Sequence, residues 1–260
     1  MIWLKETDST NEEIKRRAAK GGPDGLWIAA DKQTMGKGRR GRSWESADDG
    51  NIYMSLLLRP SFYAESASMV TLVMALSAAE AISEMTGLET QIKWPNDIVI
   101  AGKKAVGILT ELVFNDKEAF YLVCGVGINV NQRSFPKDIA NTATSLLTEY
   151  EKGSPVVRQE TSKAVCKLDK RRLAECLSDR FKDNYAVFCR TADMSCLKLP
   201  YEALLANKNA FVRVLDPKGE YEGISLGINN DGELLVKKAD GCIEAVYAGE
   251  VSVRGIYGYV

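Results

Sequence analysis

The stretch Gln91-Ile92-Lys93-Trp94-Pro95-Asn96-Asp97-Ile98-Val99-Ile100-Ala101-Gly102-Lys103-Lys104-Ala105-Val106-Gly107-Ile108 decides the fold. Two β-rich runs, 91–94 and 97–100, lie inside it, and longer ones follow at 105–114 and 119–130. The joints of the last three runs are short, Ala101-Gly102-Lys103-Lys104 and Asn115-Asp116-Lys117-Glu118. Short joints connect antiparallel neighbours, because a parallel crossover needs about a dozen residues or more. Consecutive strands with no helix between them predict an α+β protein with a mixed or antiparallel sheet, not an alternating βαβ one.

Working outward toward the N-terminus, 69–85 is a strongly apolar segment and reads as a central helix. Runs 52–58 and 26–30 read as strands. Asp8-Ser9-Thr10-Asn11-Glu12-Glu13-Ile14 opens a helix, with Ser9 and Glu12 spaced as a capping box. Toward the C-terminus, helical material spans about 160–189, and a break falls near 199–209. Beyond it the chain reads as all-β, with short strands at 211–215, 221–228, 233–238, 243–247 and 251–253. Their turns carry Gly219, Asn229-Asn230-Asp231-Gly232 and Asp240-Gly241. The expectation is a large domain at 1–205 followed by a small SH3-like β-barrel at 206–260.

Composition removes several function classes. The chain of 260 residues has 34 Lys and Arg against 35 Asp and Glu, a net charge of -1. No global field draws it to nucleic acid or membrane, so charge-based recognition has to be local. No run approaches the roughly 18 apolar residues of a membrane span, and the acidic start lacks a signal-peptide core. The six cysteines form no C-x-x-C pair, which suits thiols of a reducing, cytoplasmic compartment. With no histidine at all, His-based triads, zinc ligands and general bases are excluded. The chemistry has to run on Lys, Arg, carboxylates and bound ions, and no protein metal ligand set stands out.

Four segments carry that chemistry. Gln33-Thr34-Met35-Gly36-Lys37-Gly38-Arg39-Arg40-Gly41-Arg42-Ser43-Trp44 packs glycines, cations and an indole into one loop. Glycines let backbone N–H groups close around an anion, and arginines add forked donors. Alone, the loop equally suits a solvated linker or a nucleic-acid-binding segment. Asn96-Asp97 precedes a strand, and Lys104 opens the next, so Asp97 and Lys104 can meet across one hairpin. A lysine at a hairpin end is ordinarily solvated. Gly125 and Gly127 lie inside a strand, where glycine marks a close approach by a ligand or another part of the chain. Ser9-Thr10-Asn11 sits at a helix start, where N–H groups point outward.

In this order, the four segments resemble the biotin–protein ligase family. The likeness runs from Glu6 to Asn131 and resumes at Gly249-Glu250-Val251-Ser252-Val253-Arg254-Gly255. It implies a biotin/lipoate ligase-like catalytic domain with an SH3-like C-terminal domain. The biotin site would comprise Ser9, Thr10, Asn11, Gln33, Gly36, Lys37, Gly38, Arg39, Lys104, Gly107, Gly125 and Gly127. The ATP site would comprise Arg39, Arg40, Trp44, Asn96, Lys104 and Asn129. Arg39, Lys104 and Asp97 would be catalytic. Lys37 stands where the best-known members carry Arg, so the charge is kept but the fork is lost. The Ser9-Thr10-Asn11 motif lies so near the start that no helix-turn-helix domain is expected before it, and with it no sequence-specific DNA binding.

The same resemblance implies ATP, biotin and Mg²⁺, with biotinyl-5′-adenylate formed first. Biotin would then pass to a lysine of the biotin carboxyl carrier domain of a biotin-dependent carboxylase. No membrane partner is expected, and a homodimer is left open. The rivals are a lipoate–protein ligase, a nucleic-acid-binding module and a biotin sensor without catalysis. The Arg-Arg-x-Ser-Gly-Gly-Gly and His-containing signatures of lipoate ligases are absent.

Overall fold

The computed structural model describes residues 1–45, 50–114, 120–153, 167–216, 219–248 and 252–255. The joint expected at 115–118, the start of the expected helix near 160 and Gly249-Glu250-Val251 lie outside them. Seven strands form the main sheet in the order β1-β2-β3-β7-β6-β5-β4. They are β1 (Ile2–Thr7), β2 (Trp27–Gln33), β3 (Ile52–Leu58), β4 (Gln91–Lys93), β5 (Asp97–Ile100), β6 (Lys103–Phe114) and β7 (Phe120–Ile128). Strands β4 to β7 form the antiparallel meander expected from the short joints.

The N-terminal end differs from expectation. β1, read only as an acidic start, pairs in parallel with β2, and helix α1 (Thr10–Ala19) connects them. The sheet is therefore mixed, with one βαβ unit in an otherwise antiparallel arrangement. β2 also runs on to Gln33, which its register sets beside Thr7. Gln33 thus belongs to a strand end, not to the loop.

Both faces of the sheet are covered, so β3 is buried throughout. Alternation along the strands divides the two cores. Ile28, Leu57 and Val123 pack against Ile14 and Ala18 of α1. Ala29, Leu56, Leu58, Leu122 and Cys124 join the core on the other face. There α2 (Met69–Thr86) lies between the sheet and α4 (Lys170–Phe188). α2 is apolar on nearly all sides, which is what a helix enclosed by two layers requires. The helical stretch Ala64–Thr86, which ends in α2, is long and apolar enough to cross a membrane, yet 72% of its apolar window is buried within the protein, as in a core helix.

α3 (Leu146–Gly153) precedes α4, and α5 (Lys198–Ala203) occupies part of the expected break. That break is not a linker. Ile92 accepts from Ala206 N and donates to Leu204 O, extending the sheet beyond β4. The C-terminal part is a five-stranded antiparallel sheet in the order β11-β10-β9-β8-β12. Its strands are β8 (Phe211–Leu215), β9 (Tyr221–Ile228), β10 (Leu234–Lys237), β11 (Ile243–Val246) and β12 (Ser252–Gly255). Trp94 Nε1 donates to Gly232 O at 3.0 Å, tying the turn before β5 to this second sheet.

Candidate active site

The start of α1, the end of β2 and the inward faces of β3, β6 and β7 converge on one cavity. Its wall includes Ser9, Thr10, Asn11, Gln33, Lys37, Gly38, Arg39, Trp44, Asn96, Lys104, Gly107, Gly125 and Gly127, all expected from sequence. Tyr53, Ile108, Leu109 and Val126 also line it and were missed. Their signal was the period-2 alternation of buried strands, which cannot separate a core position from a pocket wall without the register.

Ser9 has the extended backbone of an N-cap, but its side chain caps nothing. The capping box does not form, because Glu12 turns outward to Lys37 at 2.6 Å and Lys15 at 3.0 Å. Gln33 Oε1 instead takes the Thr10 N–H at 2.8 Å. Beneath it, Ser55 Oγ lies 2.7 Å from Thr10 Oγ1 and 2.5 Å from Asn11 Oδ1. Asn11 Nδ2 donates to Glu111 Oε2 at 2.7 Å. Ser55 and Glu111 were not anticipated.

The glycine loop folds back on itself and onto the sheet. Gly38 N donates to Arg42 O, and Trp44 N donates to Gly36 O. Arg40 takes a left-handed backbone (φ 59) followed by Gly41 (φ 69), which turns the loop sharply. Arg40 is exposed and lines neither cavity described here, and Gly36 serves the loop's own hydrogen bonding. Lys37 is committed to Glu12. Arg39 reaches inward, where Nη1 donates to Asn96 Oδ1 at 2.9 Å and Nη2 to the Ala248 carbonyl. Burial lowers its pKa from the ordinary arginine value, and the Asp97 charge opposes that shift.

Asn96 is an orienting group in this arrangement. Its Oδ1 holds Arg39, and its Nδ2 donates to Ile108 O at 3.1 Å. A register shift between Ile98 and Val99 lets Lys104 reach across the hairpin, and Lys104 Nζ lies 2.6 Å from Asp97 Oδ1. Both side chains are mostly buried, at 26% and 12% exposure, so this is not the solvated hairpin lysine the sequence suggested. Lys104 Nζ also sits over the Trp44 ring, 5.2 Å from its centroid.

The strand glycines make room chiefly for the protein itself. A Cβ at Gly107 would meet Trp44 Cζ3 at 2.4 Å, and one at Gly127 would meet Trp44 Cε2 at 2.7 Å. A Cβ at Gly125 would lie 2.1 Å from Asn11 Oδ1. Trp44 is thus laid flat on the backbone of β6 and β7. A second cavity opens on the far side of Trp44 and Lys104, lined also by Asn129, Gln132, Phe135, Ile139 and Thr142. Asn129 Nδ2 donates to Thr144 O at 3.1 Å, pinning that wall. Among the described residues, no group of three or more His, Cys, Asp or Glu is placed to hold a metal ion.

A polar cavity and a second, wider one thus share Lys104 and Trp44, and the half-buried Arg39 lines the first. The class follows from the sequence comparison: residues 3–129 match the Biotin/lipoate A/B protein ligase family, and 211–254 match the Biotin protein ligase C terminal domain. The "Bifunctional ligase/repressor BirA" of Bacillus subtilis is 32% identical over 97% of this chain and 74% of its own length. The "Biotin--[acetyl-CoA-carboxylase] ligase" of Mycobacterium tuberculosis is 34% identical over 55% of this chain and 53% of its own. The structure of "Biotin protein ligase from Aquifex aeolicus in complex with biotin and ATP" superposes with a TM-score of 0.82 at 31% identity, over 98% of both chains. The chain belongs to the biotin protein ligase family.

Proposed function

We propose that this protein is an ATP-dependent biotin–protein ligase, which forms biotinyl-5′-adenylate and transfers biotin to a lysine of a biotin carboxyl carrier domain. The observation that carries the reading is the position of Lys104 and Trp44, shared by the two cavities. The first cavity, with Thr10, Asn11 and Gln33, suits the polar head group of biotin. The second suits the nucleotide. The carboxylate oxygen would then attack the α-phosphorus at their junction, breaking its bond to the α,β-bridging oxygen and releasing pyrophosphate.

A carboxylate is already a nucleophile at neutral pH, so the first step needs no general base and no histidine. Its barrier is charge stabilisation and in-line placement. Lys104 would meet the negative charge that develops at the α-phosphate, and Asp97 holds its ammonium in place beforehand. Arg39, fixed by Asn96, would hold the phosphate of the adenylate. In the second step the carrier amine attacks the mixed anhydride and AMP leaves. Asp97 would orient that amine or take its proton. Mg²⁺ is expected to arrive with the triphosphate; lacking an acidic cluster among the described residues to hold it independently, we assign it no step.

We take 1–205 as the catalytic unit and 206–260 as the C-terminal unit. The carrier is expected to belong to a biotin-dependent carboxylase, as the Mycobacterium relative's name states for that protein. Free cysteines, several of them exposed, support a cytoplasmic setting. Incubation with ATP, Mg²⁺, biotin and a carrier domain should yield a streptavidin-reactive carrier. Labelling with lipoate but not biotin would favour the lipoate ligase reading, and labelling with neither would overturn both.

A further inference from the structure

We infer that Asn51 is a positioning residue that joins the walls of the two cavities, so that filling one strengthens binding in the other. The inference rests on the biotin ligase reading of both cavities. It starts where a ladder stops. The antiparallel pairing of β3 with β7 ends at Ile52 and Ile128. Past that pair the Asn51 side chain takes over from the backbone, and its Oδ1 accepts from Val130 N at 3.0 Å. Beside it, Gly50 O accepts from Asn131 N at 2.7 Å. The segment that brings Asn129 and Gln132 to the second cavity is thus held against the start of β3.

The other end of the amide reaches both walls. A backbone N–H only donates, so the group facing Val130 is the Asn51 carbonyl, and the direction of the amide is fixed. Nδ2 then has two protons to place. One goes to Gln132 Oε1 at 2.6 Å and the other to Tyr53 Oη at 3.2 Å. Tyr53 lines the first cavity and Gln132 the second. Gln132 is fixed in direction as well, because its Nε2 donates to Ser134 O at 2.8 Å. Asn51 is fully buried and Tyr53 is 1% exposed, so bulk water does not replace a lost partner there. Movement of Tyr53 or Gln132 has to carry the Asn51 amide with it or break a buried hydrogen bond, which is a physical route for coupling. A ligand packed against Tyr53 fixes the amide before the nucleotide meets Gln132, so the sign of the coupling is favourable. Aspartate has the same size but no proton to give, and it would set a carboxylate oxygen against Gln132 Oε1.

The test titrates biotin and α,β-methylene-ATP with Mg²⁺, each alone and each with the other saturating, into parent, Asn51→Asp, Asn51→Ala and Gln132→Ala. The ratio of a ligand's two affinities is the linkage between the cavities, and it has to be the same read from either ligand. Parent should show a linkage of about 5- to 150-fold, and each variant should bring it to within about twofold of none. Asn51→Asp combined with Gln132→Ala should lose no more linkage than Asn51→Asp alone, because both changes break one path. Unlinked binding in parent would overturn the inference while leaving the ligase reading intact. So would parental linkage in a folded Asn51→Asp, even with a lowered Tm, since Asn51 would then hold the fold only. If neither Asn51 variant folds, parental linkage in Gln132→Ala overturns it; Gln132 is partly exposed, so that variant should fold. A parent protein that binds neither ligand would remove the ligase reading, and the coupling with it.

Discussion

Lys104 Nζ lies 2.6 Å from Asp97 Oδ1, beneath the Trp44 ring and at the meeting point of two cavities. Lys104→Ala removes the charge expected at the α-phosphate. By analogy with the loss of one oxyanion donor, the barrier to adenylate formation should rise by about 2.7–4 kcal/mol. The variant should also lose roughly 1–3 kcal/mol of stability, because Asp97 is left largely buried without its nearest cation. Adding Asp97→Asn should restore stability but not activity. Parent-level pyrophosphate release by a folded Lys104→Ala would remove Lys104 from the site.

Gly107→Ala tests whether Trp44 has to lie flat on the sheet. The added methyl would stand 2.4 Å from the indole and 3.1 Å from the Lys104 side chain. The clash is with a loop side chain and a flexible lysine, so the fold should survive with Tm within a few degrees of parent. Trp44 and Lys104 should both be displaced, changing tryptophan fluorescence and abolishing most adenylate formation. Parent activity in Gly107→Ala would show that the indole's position is incidental.

The meander, the central helix and the small β unit were legible in the sequence, because joint length and apolar runs report local geometry. β1 was not legible. Its residues Ile2-Trp3-Leu4 carry too short a pattern, and a parallel partner separated by a helix leaves no local sign. The glycine loop, Lys104 and the strand glycines announced the site through residue type. Ser55 and Glu111 did not, since each meets the cavity wall through a neighbour, Thr10 or Asn11, that only folding supplies. The capping box misled for the same reason: Glu12 fits the spacing, but Lys37 and Lys15 lie closer to its carboxylate than the helix start does.

Acid should loosen the entry to α1. Hydrogen bonding from Arg16, helped by Ser9 N–H, Thr7 and the Arg16 charge, holds the Asp8 carboxyl well below the usual carboxylate range against the desolvation that pushes it up. A depressed folded pKa means the contribution is fully present above the ordinary value of about 4 and is lost as pH falls below it. Asp8 is partly exposed, so the effect is modest. Asp8→Asn keeps an acceptor for Ser9 N but cannot titrate. Its Tm should fall less than that of parent between pH 5 and pH 3, and equal falls would exclude Asp8 as a contributor.

Arg39→Gly should convert a contained intermediate into a leaking one. A mixed anhydride reacts with any free amine, so a ligase must hold it until the carrier arrives. Arg39 points inward and contacts both the β4–β5 turn, through Asn96, and the turn after β11, through the Ala248 carbonyl. Asn96 thus fixes its direction, with the Asp97 charge close enough to act on the guanidinium. Glycine at 39 removes the phosphate contact and both tethers, while Thr10, Gln33 and Lys104 keep their places. Adenylate should still form, and it should escape faster than the carrier can use it. Parent and variant are each mixed with ATP, biotin and an unrelated lysine-rich protein, then blotted with streptavidin. Bystander labelling should rise at least about tenfold in the variant and should scale with exposed lysines, as diffusible adenylate requires. Labelling at the parent level by a variant that still releases pyrophosphate would show that retention does not depend on Arg39.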